Sequence, residues 1–292
     1  MINPTGSPTG VAELASTVAE MGAAGSRLDA IHACEAGAGN ISVAAPAFDG
    51  LEELFPDSEA YELPMAAPAL AGWTVLVTGS GCRLREIGGA PTANLAAVVI
   101  GADGCQAALR SGPGRAFTRP TSEFNSHLAI HQDQVARGKY PAEPGDARAG
   151  GDRAALHAVV HAQPPHLVAL THRPDLGSSA AFSRRILRWE PETVVQLPEG
   201  VAVLPFMVPG SDKLAAASVR ALRAHRVVLW SKHGLIVRSE NGPLKAVDLI
   251  EYAETGAMYD QANTACGSPS NGLTTAELRA VIKAFNVRTT LF

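Results

Sequence analysis

Three short segments of this chain carry residues suited to holding a metal ion and moving protons. They are Pro120-Thr121-Ser122-Glu123, His161-Ala162-Gln163-Pro164-Pro165-His166 and Leu229-Trp230-Ser231-Lys232-His233-Gly234. His161 and Gln163 stand two apart at the end of an apolar run that reads as a buried strand, so both side chains address one face. His233 falls in a tight turn between apolar runs, where an imidazole needs a partner. Glu123 follows Thr121 and Ser122, either of which can cap a helix, and this puts its carboxylate in the positive first turn. A catalytic metal takes about three protein ligands and keeps a position open for substrate, often beside a general base. Singly, each residue has an ordinary reading: a strand-end histidine bonded within the core, or an acid at a helix start. Together they point to metal-assisted chemistry with Glu123 handling protons and His161, His233 and Gln163 around the ion.

Two glycine-rich turns could receive a phosphate on bare backbone N–H groups, Gly37-Ala38-Gly39-Asn40 and Gly79-Ser80-Gly81. Neither matches the nucleotide-binding P-loop or the Gly-x-Gly-x-x-Gly fingerprint, so each is weak alone. Glu192, after Trp189-Glu190-Pro191, reads as a loop acid, and His157, His166 and His172 read as structural.

The elements that must position these residues are mixed. Apolar residues at helical spacing predict a helix from Val11 to about Ala33, and Ile41 to Val43 and Trp73 to Thr78 read as strands. Residues 45–72 lack a clear period and read as a surface excursion. The runs Ala96 to Ile100 and Gln106 to Leu109 flank Asp103-Gly104 and predict a hairpin. A helix runs from Thr121 or Ser122 to Arg137, closed by Gly138, and 138–153 reads as loop. Leu156 to Ala162 is a strand, and Pro164-Pro165 opens a helix. Val194 to Leu204 suggests two strands, and Ser211 caps a helix to Ala224. Strands at Arg226 to Trp230 and Leu235 to Val237 enclose the Ser-Lys-His-Gly turn. Two helices end the chain, the last opened by a Thr274/Glu277 capping box. The pattern implies roughly eight or nine strands in one α/β sandwich with antiparallel pairing.

Composition sets the class. The 292 residues are 46% hydrophobic and 18% charged, as in a globular protein with a sizeable core. A net charge of −4 argues against nucleic acid as a partner. Cys34, Cys82, Cys105 and Cys266 form no CxxC pair, which fits free thiols in a reducing compartment. With no signal-like leader and no 18-residue apolar run, no membrane partner is expected and the cytoplasm is the expected location.

In order along the chain, Gly-Asn-Ile-Ser, Val-Thr-Gly-Ser-Gly, Pro-Thr-Ser-Glu, Val-Val-His-x-x-Pro and Leu-Trp-x-x-His-Gly resemble the class II aldolase/adducin family. Pro198-Glu199-Gly200-Val201, the run from Leu204 to Asp212 and the Thr275-Ala276-Glu277-Leu278 helix resemble its L-rhamnulose 1-phosphate-cleaving branch. The resemblance spans nearly all of residues 1–292, as one class II aldolase-like domain with a central, mainly antiparallel sheet flanked by helices. It implies that Glu123 is the acid/base carboxylate and that His161 and His233 are two of three zinc-ligating histidines, with Gln163 in the place of the third. Asn40, Ser80, Gly81 and Ser122 match positions that hold the sugar phosphate, and Glu192 matches an acid reaching a neighbouring subunit's site. A further phosphate-binding Asn of the family falls on Gly37. The implied protein is a homotetramer with sites between subunits. Its implied reaction is retro-aldol cleavage of a ketose 1-phosphate to dihydroxyacetone phosphate and an aldehyde, using a divalent metal. Zinc is the first expectation, with manganese or another ion open because carbonyl oxygens suit harder cations. A sugar-phosphate 4-epimerase or dehydratase, or a non-catalytic adducin-like module, are the alternatives that Gln163 leaves open.

Overall fold

The computed structural model describes residues 11–138, 156–267 and 270–292. The first half runs β1 (Val11–Glu13), α1 (Leu14–Ala30), β2 (Asn40–Ala45), β3 (Ala47–Asp49), the short α2 (Leu51–Leu54) and β4 (Asp57–Glu62). It continues through β5 (Thr74–Thr78), α3 (Pro91–Asn94), β6 (Leu95–Ile100) and β7 (Gln106–Ser111). The second half runs α4 (Phe124–Arg137), β8 (His157–Ala162), α5 (Pro165–Leu170), α6 (Ser179–Ile186), α7 (Pro191–Gln196) and β9 (Ala202–Leu204). It ends with α8 (Asp212–Leu222), β10 (Val227–Trp230), β11 (Gly234–Ser239), α9 (Pro243–Ala265) and α10 (Thr275–Ala284).

Among the described residues, nine strands form one sheet in the order β4-β7-β6-β5-β2-β8-β11-β10-β9, while β1 and β3 make a small parallel pair apart from it. Every ladder of the large sheet is antiparallel except β9–β10. The central strands are buried along their whole length, which only a sheet covered on both faces allows. Ile41, Val43, Val160, Leu235 and Val237 point to one face and share a core with Met21 and Leu28 of α1 and Val247, Ile250 and Ala253 of α9.

The opposite face, under α4 and α8, holds two apolar clusters. One joins Val75, Val77, Ala96 and Val98 to Phe124 and Leu128, and the other joins Val159, Val228, Trp230 and Ile236 to Ile130 and Leu214. Between these clusters, β2 turns Asn40 and Ser42 toward α4. The polar gap in this face is the feature on which the site is built.

Four expectations change. The helix read from Val11 starts at Leu14, because Val11–Glu13 pairs with β3 as a short strand. α4 starts at Phe124 rather than at Thr121 or Ser122, and Glu123 occupies the cap position without bonding a helix amide. The carboxylate instead turns under the ends of the central strands toward Asn40 and His161. Gly138 ends this helix as expected, at φ 71°. The apolar Val194-Val195 pair belongs to α7, which Pro191 opens and Thr193 secures through bonds to the Leu187 and Glu190 carbonyls; only Ala202–Leu204 there is a strand. The 45–72 excursion also contributes β4, an edge strand whose exposed Asp57, Glu59 and Glu62 defend the sheet against further pairing. Residues 139–155 lie outside the described residues, and with them nearly all of the loop read at 138–153.

Candidate metal and proton-transfer site

The site forms where β2, β8 and the β10–β11 turn end beside the start of α4. In the β2–β8 ladder Asn40 lies directly opposite His161, so pairing register alone sets an amide beside an imidazole. His161 is 1% exposed, and its Nδ1 lies 2.8 Å from the Leu235 carbonyl of β11. That carbonyl can only accept, so Nδ1 carries a proton, and in the neutral ring Nε2 presents a bare lone pair. Nε2 points at Glu123 Oε2, 3.4 Å away. Two lone pairs facing each other at this distance leave a position that suits a cation.

His233 completes the group. The turn from Trp230 is closed by the His233 N–H donating to the Trp230 carbonyl at 3.0 Å, and Lys232 adopts φ 63°, the left-handed conformation such a turn requires. The Lys232 N–H donates to Thr171 Oγ1 at 2.8 Å, fixing the turn from outside. His233 Nε2 then lies 3.8 Å from Glu123 Oε1. One ligand atom from each of Glu123, His161 and His233 falls within 4.8 Å of the other two. Burial and the neighbouring His161 hold the His233 imidazole below its ordinary pKa, which keeps it neutral and able to ligate. Glu123 Oε1 and His233 Nδ1 are buried without a hydrogen-bond partner among the described residues. Two imidazoles and a carboxylate, one ligand atom from each and Glu123 Oε1 unpartnered, fit a divalent ion.

Gln163 stands at the mouth of the site. Its N–H donates to the Ala33 carbonyl at 2.7 Å, and its side chain lies against Gly234. A Cβ on Gly234 would sit 2.5 Å from the Ala162 carbonyl oxygen and 2.8 Å from His161 Cε1, so a glycine here lets β11 close onto the ligand strand. Gln163 and His233 share an open pocket of about 720 Å³ with His32, Glu35, His172 and Lys232.

The two glycine-rich turns meet. A Cβ on Gly37 would lie 3.0 Å from the Gly81 carbonyl oxygen, so the two turns pack backbone to backbone. The Ser80 N–H donates to the Arg119 carbonyl at 2.9 Å, which leaves the Ser80 hydroxyl as its free polar group. Gly81 takes φ 79° with open space around it, and Ser122 is exposed beside Gly210. Asn40 is more committed than its sequence position suggests: its Nδ2 donates to Glu123 Oε2 at 2.9 Å, and its Oδ1 meets His127 Nε2. Glu192 lies apart, exposed in the first turn of α7, a helix packed on α9 and α10.

The neighbouring histidines divide as their surroundings dictate. His157 is buried against Trp73, and burial lowers its pKa to about 4. His166 donates its N–H to Glu254, whose carboxylate also accepts from the Leu167 N–H and so caps α5 from α9. His172 is exposed in the pocket.

Two sets of supporting residues are absent from the sequence reading. Trp230 stacks on His161 at 4.8 Å and on His233 at 5.3 Å between ring centroids, and its Nε1 donates to Ser218 Oγ at 2.9 Å. One indole therefore fixes the planes of both imidazoles. The second set, His127, His131 and Gln134, follows Glu123 along α4 at helical spacing and is buried. That spacing, Glu-x3-His-x3-His-x2-Gln, was the available signal.

Comparisons with known proteins agree with this architecture. Residues 19–259 match the family described as "Class II Aldolase and Adducin N-terminal domain". A rhamnulose-1-phosphate aldolase from Enterobacter sp. (strain 638) is 32% identical over 227 residues, covering 77% of this chain and 75% of its own length. One from Klebsiella pneumoniae (strain 342) is 31% identical over 228 residues, covering 77% and 76%. A sugar-phosphate aldolase structure from Thermotoga maritima superposes with a TM-score of 0.69 at 24% identity, covering 89% of this chain and 99% of its own, and shows the shared fold. This chain belongs to the class II aldolase and adducin family and is a class II aldolase, an aldehyde-lyase.

Proposed function

We propose that the chain is a metal-dependent aldolase cleaving a ketose 1-phosphate, L-rhamnulose 1-phosphate first among candidates, to dihydroxyacetone phosphate and an aldehyde. The observation that carries this reading is the convergence of Glu123, His161 and His233 within 4.8 Å, with Glu123 Oε1 unpartnered. The rhamnulose-1-phosphate aldolase relatives support the choice of sugar.

His161 and His233 would hold the ion, with Glu123 adjoining and Gln163 at the open side. A bound divalent ion supplies Lewis-acid polarisation of the ketose carbonyl. The protein does the rest. The paired turns at Gly37–Asn40 and Gly79–Gly81, with the Ser80 and Ser122 hydroxyls, anchor the phosphate, so that binding energy aligns the C3–C4 bond. Glu123 Oε1 takes the C4 hydroxyl proton as that bond breaks, C4 becomes the aldehyde carbon, and the same oxygen returns the proton to C3. Zinc is the first candidate ion and manganese the second, because the neutral oxygen of Gln163 replaces a nitrogen donor. We also take the working form to be a homotetramer with sites between subunits, in which the exposed Glu192 would serve a neighbour's site.

Elemental analysis of protein purified without added metal, with a coupled assay for dihydroxyacetone phosphate on L-rhamnulose 1-phosphate and L-fuculose 1-phosphate, tests the reading. One bound transition metal per chain and cleavage of a ketose 1-phosphate are expected. Metal-free protein that binds no divalent ion from a panel would overturn it in favour of a binding module.

A further inference from the structure

We propose that His127, clamped between Asn40 and Ser42 beneath the sheet, is a positioning residue that aims the Glu123 carboxylate. This deepens the proposed aldolase reading and rests on it. His127 Nε2 meets Asn40 Oδ1, and its Nδ1 lies 2.6 Å from Ser42 Oγ. Ser42 Oγ also lies 2.7 Å from His131 Nε2. Ser42, His127 and His131 are 0% exposed, and Asn40 is 6% exposed.

The donor and acceptor inventory gives the chain one direction while Glu123 is ionised. A carboxylate only accepts, so the Asn40 amide must present Nδ2 to it, and Oδ1 then faces His127. That oxygen requires a proton on His127 Nε2. Burial keeps His127 neutral, its pKa lowered to about 3, so Nδ1 is bare and accepts from the Ser42 hydroxyl. Ser42, having donated its proton, accepts from His131 Nε2–H. Every bond points toward Glu123 Oε2, which keeps a second lone pair toward His161 Nε2, and Oε1 is left free of the chain on the side of His233. Were the Asn40 amide reversed, its oxygen would face the carboxylate oxygen; His127 disfavours that reversal.

The setting supports a role beyond filling space. The seam of Asn40, Ser42, His127 and His131 divides two apolar clusters that would otherwise meet under α4. Apolar side chains there would join one core, whereas this polar chain, bonded at each link from His131 Nε2 to Glu123 with His131 Nδ1 left unpartnered among the described residues, specifies a single geometry. Glu123 needs such a geometry, since only its backbone carbonyl joins α4, accepting from the His127 N–H, and its side chain has no cap bond to hold it.

Three variants test this, His127→Leu, His127→Gln and Ser42→Ala, none of which touches the metal donors. For His127→Leu, kcat on the cleaved ketose 1-phosphate should fall roughly 10–100-fold, the usual cost of losing an outer-sphere partner, with KM and bound metal within about twofold of wild type. His127→Gln keeps a donor and an acceptor on one side chain and should recover most of kcat. Ser42→Ala should fall between them and covers the case in which His127→Leu fails to fold. Crystal structures of wild type and variants read the same point without activity: the Glu123 carboxylate should stay on Asn40 with Gln at 127 and swing off it with Leu. Wild-type kcat in both His127→Leu and Ser42→Ala, or an unmoved Glu123 in the Leu variant, would overturn the proposal. A wild type that cleaves no ketose 1-phosphate would instead sink the aldolase reading, and the crystallographic comparison would still decide the positioning.

Discussion

Glu123 has two sides, and they are built differently. Toward the interior, its Oε2 is tied through Asn40 to a run of fully buried polar side chains. Toward the mouth, its Oε1 faces His233, which lines a pocket rimmed by the exposed Glu35, His172 and Lys232, with Gln163 half-buried. The interior side is dry and fixed bond by bond, so its groups are worth more electrostatically and tolerate less change. The mouth is wet and loosely held. Chemistry common to aldolases needs the first kind of surroundings, and the choice of sugar and ion can reside in the second. Interior substitutions should therefore damage turnover, and mouth substitutions should redirect it.

The comparison breaks most completely if the ion is not where the two sides meet. Replacing His161 and His233 together by alanine should remove bound metal, and with it turnover and any thermal stabilisation by zinc or manganese. Metal retained in the double variant, measured by elemental analysis, would place the ion elsewhere. Next in size, Glu123→Gln should lower turnover roughly 10²–10⁴-fold with the fold intact. Wild-type rates in that variant would reduce Glu123 to a hydrogen-bond partner of Asn40.

The interior side also predicts a pH dependence of stability. Burial lowers the pKa of His127 to about 3 and of His157 to about 4, and pushes His131 well below the ordinary 6.5. Below pH 6.5 the unfolded chain protonates these rings and the folded chain does not. Stability is therefore full above about pH 6.5 and falls as pH drops toward 4, by about 1.4 kcal/mol per pH unit for each ring. Urea unfolding midpoints at pH 7, 6 and 5 should fall in step, and His157→Gln should make the decline shallower. Flat midpoints over this window would mean that the interior is wetter than its packing indicates.

Much of this was legible in the sequence, for definite reasons. The hairpin at Asp103-Gly104, the Ser211 and Thr274 caps and the His161 strand follow from local signals that the tertiary structure leaves in place. The α7 helix was read as strand because Val194-Val195 has strand propensity, and only the buried Thr193 bonds and packing on α9 override it. β4 was hidden because an edge strand with charged residues need not alternate. At the site, His161 and His233 were visible as residue types in motifs. Trp230 as a plate for both rings, and the commitment of Asn40 to Glu123 and His127, depend on strand register and could not be seen before β2 met β8.

The smallest expected effect sharpens the comparison most, because it acts on the mouth alone. Gln163→His would exchange a neutral oxygen for a nitrogen that zinc favours. Residue 163 directly follows the strand that carries His161, its side chain packs against Gly234, and it lines the same pocket as His233. The site already offers Glu123, His161 and His233, so one improved donor should tighten zinc by about tenfold in Kd, near 1.4 kcal/mol. Isothermal titration with zinc and with manganese reads this directly, and preference should move toward zinc. Cleavage of L-rhamnulose 1-phosphate should rise or appear. Unchanged zinc affinity would show that residue 163 does not face the ion. Tighter zinc without more cleavage would leave the metal site standing and remove rhamnulose phosphate as its substrate, placing the choice of sugar with the pocket residues around Lys232 and His172.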